Sequence, residues 1–168
     1  KKEKLNNLDV VSVKNKLNMD PKGTIQTFLR VVKSDNYPDR SRWLSLVLIG
    51  KSMGKKSIPL LTKYLEHNNW MIRSAAIKSL KSLKVKRNEQ YRRLLSDKSF
   101  IIRQQVLDTI TTLEIKDLLP DVLKMLGEKS NYIQTKKGLK GSEVIRQAIE
   151  TISYLGDETE KPILIKML

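Results

Sequence analysis

Two arginines at a fixed interval are the first residues whose type and spacing suggest chemistry. Arg73 and Arg103 stand 30 residues apart, and each is followed by aliphatic residues at the third, fourth and seventh positions: Ala76, Ile77 and Leu80, then Val106, Leu107 and Ile110. Arg42, 31 residues before Arg73, heads a weaker copy with Leu46 and Ile49 in matching places. A later copy runs from Val144 to Leu155 and places Arg146 43 residues beyond Arg103. Guanidinium groups repeated in this way either present a basic ladder to an anionic ligand or bond oxygens of the protein itself. A buried arginine requires the second, with a charge partner or well-aligned acceptors.

The densest basic run lies beside the central pair. Lys78, Lys81 and Lys84 recur at three-residue spacing and share much of one helix face, and Lys86, Arg87, Arg92 and Arg93 follow closely. The set is read either as a solvated face or as an anion-binding patch. Of the formal charge of +15, residues 51–103 hold 14 basic and 3 acidic groups, whereas residues 104–168 hold 9 and 10. Such a field attracts phosphates, anionic lipid or an acidic protein face. Lysines outnumber arginines 24 to 9, which argues against dedicated bidentate phosphate recognition.

Other chemistries find little material. Cysteine is absent, removing disulfides, thiolate nucleophiles and thiolate metal sites. His67 is the single histidine, beside Asn68 and Asn69 at a helix end, with no second imidazole to complete a zinc site. The carboxylates show no metal-ligand spacing, and no glycine-rich phosphate loop, HExxH or GxSxG occurs. The expectation is therefore no catalytic residue, no metal and no cofactor. Trp43 and Trp70 are 27 residues apart, outside the 30-residue frame, so a shared aromatic ladder is not expected. Trp70 is read as core packing or as an exposed anchor at a joint.

The elements that position these residues are helices. Apolar periodicity predicts them over 3–18, 24–33, 39–52, 57–66, 70–83, 88–96, 100–113, 117–126, 143–155 and 159–168. Pro59, Pro120 and Pro162 fall near helix starts, where a missing amide hydrogen costs little. The polar stretch 127–142 is expected to be an inserted loop in a single domain spanning 1–168, incomplete at one or both ends. No run of 18 apolar residues and no signal-peptide pattern is present. A soluble protein is expected, cytoplasmic in preference to a processed secreted or periplasmic form.

A helix pair of this size cannot bury its apolar faces alone, and stacking successive pairs creates a core. Ile72-Arg73 with Ala75-Ala76 and Leu80, Ile102-Arg103 with Val106 and Ile110, and Leu155-Gly156-Asp157 with Pro162 resemble the HEAT family, particularly its short bacterial version related to phycobilisome lyases. The resemblance covers roughly residues 37–168 and implies an all-α, right-handed α-solenoid of antiparallel helix pairs. It also implies that Arg73, Arg103 and Arg146 bond acidic or backbone oxygens between repeats, with Asp97 and Asp157 as candidate partners. By function it implies a non-catalytic scaffold that binds a protein partner through a basic or concave helical surface, and the central charge favours an acidic one. The alternative is nucleic-acid backbone binding through the same lysines and arginines. A DNA glycosylase is a subtype of that alternative, for which Asp108, Asp117, Trp43 and Trp70 supply residue types without a constellation.

Overall fold

The computed structural model describes residues 15, 16 and 18–165, except the side chains of 161 and 163. Most of the helix expected at 3–18, and the last three residues of the one expected at 159–168, lie outside the described residues. The chain divides into two compact units, Lys1–Leu83 and Lys84–Leu168.

In the first unit, α1 (Pro21–Lys33) starts where Asp20 accepts the Gly23 amide hydrogen, with Pro21 in its first turn. It packs against α2 (Asp39–Met53), which in turn packs against α4 (Trp70–Ser82). The short α3 (Ile58–Tyr64) lies along α4. The core comprises Phe28, Val31 and Val32 of α1, Leu46 and Ile49 of α2, Leu61 of α3, and Ile72, Ala76, Ile77 and Leu80 of α4. All are aliphatic or aromatic, and their removal from water is the main term holding the helices together.

The second unit contains α5 (Asn88–Leu94), α6 (Phe100–Thr112), α7 (Leu119–Met125), α8 (Glu143–Leu155) and α9 (Lys161–Ile165). Here α5 packs on α6, α6 on α8, and α7 and α9 on α8. Tyr91, Ile102, Val106, Leu107, Ile110, Val122, Ala148 and Ile152 form its core.

Three pairs share one plan. In α3–α4, α5–α6 and α7–α8, a helix of 7 residues precedes one of 13. Within each pair the two helices pack together. The repeat extends to the helix ends: Lys84 and Glu114, 30 residues apart, both adopt left-handed backbone, φ 55° and 50°. After α6 the Ile115 amide reaches back to the Ile110 carbonyl at 3.0 Å and the Glu114 amide to Thr111 at 3.2 Å, closing the helix in a Schellman motif without glycine.

The helices between residues 21 and 165 match the sequence expectation to within three residues at their described ends. Within the inserted loop expected at 127–142 there is a short paired segment. Residues 132–135 (β1) and 138–141 (β2) pair antiparallel in a hairpin, Tyr132 opposite Gly141 and Thr135 opposite Gly138. The chain is thus predominantly helical, with packed helix pairs and one small hairpin among the described residues.

The α2–α4 packing has a tight point. A Cβ built on Gly50 would lie 2.8 Å from the Ser79 Cβ, so the helices approach through a missing side chain. Gly50→Leu is expected to destabilise the protein by about 1–3 kcal/mol in chemical denaturation, because an overfilled contact must shift backbone. Leucine is the better helix former by nearly 1 kcal/mol, so a loss would report the contact and an unchanged or raised stability would remove it.

Candidate functional site

The repeated arginines are built into the joints between short and long helices. Arg73 is buried and its Nη1 donates to the carbonyls of His67 (2.7 Å) and Asn68 (2.9 Å). Arg103, equally buried, donates Nη1 to the Asp97 carbonyl at 2.6 Å and Nη2 to that of Ser130 at 3.4 Å. In each case the main acceptor lies six residues back. Burial lowers the Arg103 pKa, and the Asp97 charge opposes that shift. The loop repeats too: the His67 Nδ1 accepts the Asn69 amide hydrogen at 3.0 Å, and the Asp97 Oδ1 accepts that of Ser99 at 2.8 Å. His67 therefore occupies the place of Asp97 one repeat earlier, and it is also 5.9 Å from the Tyr64 ring. Arg42, buried in α2, performs related work, with Nε to the Val32 carbonyl at 3.2 Å and an ion pair to Asp35 at 2.7 Å.

Arg146 departs from this arrangement. It is exposed on α8 and pairs with Glu143 and Glu150 of its own helix. Ile145, one residue earlier, is buried as Arg103 is, and Val144, Ala148 and Ile152 follow the phase of Ile102, Val106 and Ile110. The burial phase of α8 is thus displaced by 42 residues from α6 rather than 43. Among the described residues Asp157 pairs with no arginine. Its Oδ1 accepts from the Thr159 amide (2.8 Å) and hydroxyl (2.7 Å), while Glu160 accepts the Asp157 amide hydrogen. Those hydrogen bonds, led by the Thr159 amide, hold its carboxyl below the usual range.

The basic run is divided between the units. Lys78 and Lys81 belong to α4 of the first; Lys84, Lys86, Arg87, Arg92 and Arg93 belong to the second. Exposed Lys78 places its Nζ 5.0 Å from the centre of the Trp43 ring, whose Nε1 donates to Ser74 Oγ at 3.4 Å. That geometry is a cation–π contact, and it fixes Trp43 in the first unit. Lys81 and Arg87 are half-buried, and Lys84 is exposed. Lys86 reaches the Glu114 carbonyl at the end of α6, 3.4 Å away. Arg92 pairs with Glu89 (2.7 Å) and Asp121 (2.8 Å), and Arg93 with Glu89 (3.5 Å). The hydrogen bond to Asp121 raises the Arg92 pKa, and burial at Asp121 is outweighed by hydrogen bonds from Arg92 and Lys124, leaving that carboxyl depressed. These carboxylates offset much of the charge on α5.

Counted by unit, Lys1–Leu83 carries 17 basic and 6 acidic side chains, and Lys84–Leu168 carries 16 and 12. The excess therefore lies mainly in the first unit. There Lys51, Lys55, Lys56 and Lys63 are exposed around the end of α2 and along α3, with no ion pair among the described residues. The second unit has an open groove of about 630 Å³ between α6 and α8, lined by Asp108, Thr111, Gln147, Glu150, Thr151 and Tyr154 among others. Thr111 and Thr151 share a hydrogen bond of 3.0 Å there. Asp117 accepts from Asn88 at 3.1 Å, outside that groove's lining.

A HEAT repeat family model matches residues 58–84. The match takes in α3, α4 and the turn that ends at Lys84, which is one complete short–long pair. No curated protein and no solved structure gives a significant match. Among the described residues no three metal-ligating side chains come together, and no helix is long and apolar enough to cross a membrane.

The 30-residue spacing carried one further signal in the sequence. Trp70 and Phe100, 30 residues apart, are the first residues of α4 and α6, and both are exposed. Trp43 drew the comparison away from that pair. Phenylalanine and tryptophan at one repeated position is the pattern that would have found it.

Fully buried Tyr91 donates its hydroxyl to the Val85 carbonyl at 3.1 Å, and burial pushes its pKa to about 12, against a smaller opposing pull from Arg87. An unfolded tyrosine ionises near 10, so this contribution is complete below that pH and is lost as pH rises toward 12. Tyr91→Phe is expected to cost about 1 kcal/mol at pH 8. By about pH 11 the deficit should shrink by roughly 1 kcal/mol, read from urea midpoints of both proteins. A pH-independent difference would contradict the assignment.

Proposed function

We propose that this chain is a non-catalytic HEAT-like scaffold whose helix pairs extend the repeat beyond 58–84 as a right-handed α-solenoid, and that it binds an acidic protein surface. The observation that carries the reading is the sorting of cations. Arginines at the joints, Arg42, Arg73 and Arg103, are buried and bonded to the protein's own oxygens. By contrast Lys51, Lys55, Lys56 and Lys63 of the first unit stand in solvent, unopposed by carboxylates among the described residues. Charges held in solvent steer a complementary partner without an added desolvation cost in the unbound protein. Lys78, seated on Trp43, adds a preordered cation beside a partly accessible aromatic face. The remaining candidate residues of the central run, Lys81, Lys84, Lys86, Arg87, Arg92 and Arg93, contribute a weaker field, since Glu89 and Asp121 stand against the last two.

The test compares the native chain with a variant carrying Lys→Gln at 51, 55, 56 and 78. Fluorescence anisotropy measures binding to a labelled polyglutamate peptide and to a duplex DNA of equal charge, at low and moderate salt. The variant should unfold within about 2 °C of the native protein, as expected for exposed positions. Its affinity for polyglutamate should fall at least tenfold at low salt. Unchanged polyglutamate binding rejects this surface, and a native protein that binds the duplex tenfold more tightly than polyglutamate transfers the reading to nucleic acid.

A further inference from the structure

The hairpin between α7 and α8 adds nothing to either core, yet its base is fastened firmly. Asn131, 2% exposed, donates to the Met125 carbonyl at 3.0 Å, and its own carbonyl accepts the Ser142 amide hydrogen at 3.1 Å. The Tyr132 hydroxyl donates to the Leu126 carbonyl at 2.5 Å, and Arg103 reaches Ser130. Above this base every residue of β2 is exposed, as are Ile133 (55%) and Leu139 (58%). An isolated hairpin of four-residue strands is marginal in water, so the anchored base is what presents it.

Its register shows what is presented. Ile133 lies opposite Lys140, and Gln134 opposite Leu139, so the two exposed aliphatic residues are on opposite faces. A flat partner would cover only one face. Both faces border the same strand edges, and in a two-stranded sheet each strand has one edge without a neighbouring strand. The β2 side is approached at its base by α8, where a Cβ on Gly141 would lie 3.1 Å from Ile145. The outer edge of β1 has no strand beside it among the described residues.

Charge selects the occupant. Lys129, Lys136, Lys137 and Lys140 are exposed, and residues 129–142 contain no acidic side chain. Lysines on an edge repel an identical edge and so resist self-pairing. The same lysines attract an acidic strand. A nucleic acid fits less well: the segment offers no arginine, and its one aromatic residue, Tyr132, is half-buried with its hydroxyl engaged.

We propose that the outer edge of β1 is a strand-addition site for an extended acidic segment of a partner protein. Main-chain hydrogen bonds to β1 supply the docking, the lysines select the sign, and Ile133 and Leu139 provide apolar contact on alternate faces. Its residues are all different from the first-unit lysines, so the two proposals fail independently.

The full chain is tested with a soluble peptide of alternating sequence, acetyl-Glu-Val-Glu-Thr-Glu-Val-Glu-Thr-amide, by titration and residue-resolved hydrogen exchange. A Lys-for-Glu version of the peptide and a short oligothymidylate are the other arms. The acidic peptide should bind and slow amide exchange within residues 132–135 at least tenfold. Lys136→Glu/Lys137→Glu/Lys140→Glu and, separately, Ile133→Ser should each weaken binding at least fivefold, with thermal unfolding and the exchange pattern of α6 and α8 unchanged. Equal or tighter binding of the lysine peptide or the oligothymidylate overturns the proposal. So does protection confined to other elements, or binding that survives both variants.

Discussion

A buried guanidinium donating to carbonyls of the loop between a short and a long helix is the interaction on which the rest of the structure depends. A loop carbonyl shielded from water needs a donor, and no regular helix or strand ladder supplies one there. Arg73 and Arg103 meet the loop carbonyls of His67, Asn68 and Asp97 from the fourth position of the following long helix, at 2.6–2.9 Å for their closest contacts. The bond fixes the angle at which the long helix leaves its loop. That angle places Ala76, Ile77 and Leu80, and likewise Val106, Leu107 and Ile110, in the apolar phase. Burying a cation against neutral acceptors is costly, and the lowered pKa of Arg103 reflects that cost.

Committing arginines to the joints separates the fold's electrostatics from the surface's. The side chain with a planar fork of donors goes where several fixed oxygens must be met, and lysine remains where a mobile charge in water suffices. Arg92 and Arg146, which lie outside the buried joints, are neutralised by neighbouring carboxylates. What is left over is a surface field carried by lysine, strongest in the first unit. The proposed docking of an acidic partner rests on that field.

The helices were legible because their apolar spacing is regular and their joints carry Asn69, Ser99, Ser142 and the prolines at predictable places. The fourth arginine was not, because matching Arg146 to Arg103 by residue type shifts α8 one residue away from its true buried phase. Periodicity of Val144, Ile145, Ala148 and Ile152 contained the correct frame, while the shared arginine obscured it. The hairpin was hidden because Tyr-Ile-Gln-Thr and Gly-Leu-Lys-Gly show no apolar alternation: neither strand has a buried face to enforce one. Part of what offsets the basic run was out of sight because one of the two acids that pair with Arg92, Asp121, sits 29 residues away in sequence.

The central claim is that arginine at a joint is structural while the same residue outside the buried phase is not. Equilibrium urea unfolding of Arg103→Met and Arg146→Met tests it with one substitution at two corresponding helix positions. Methionine keeps the chain length roughly and removes the donors. At Arg103 the stranded carbonyls should cost about 2–4 kcal/mol; at Arg146, where only exposed pairs are lost, the unfolding midpoint should barely move. Equal losses at the two positions, or none at Arg103, would contradict the account.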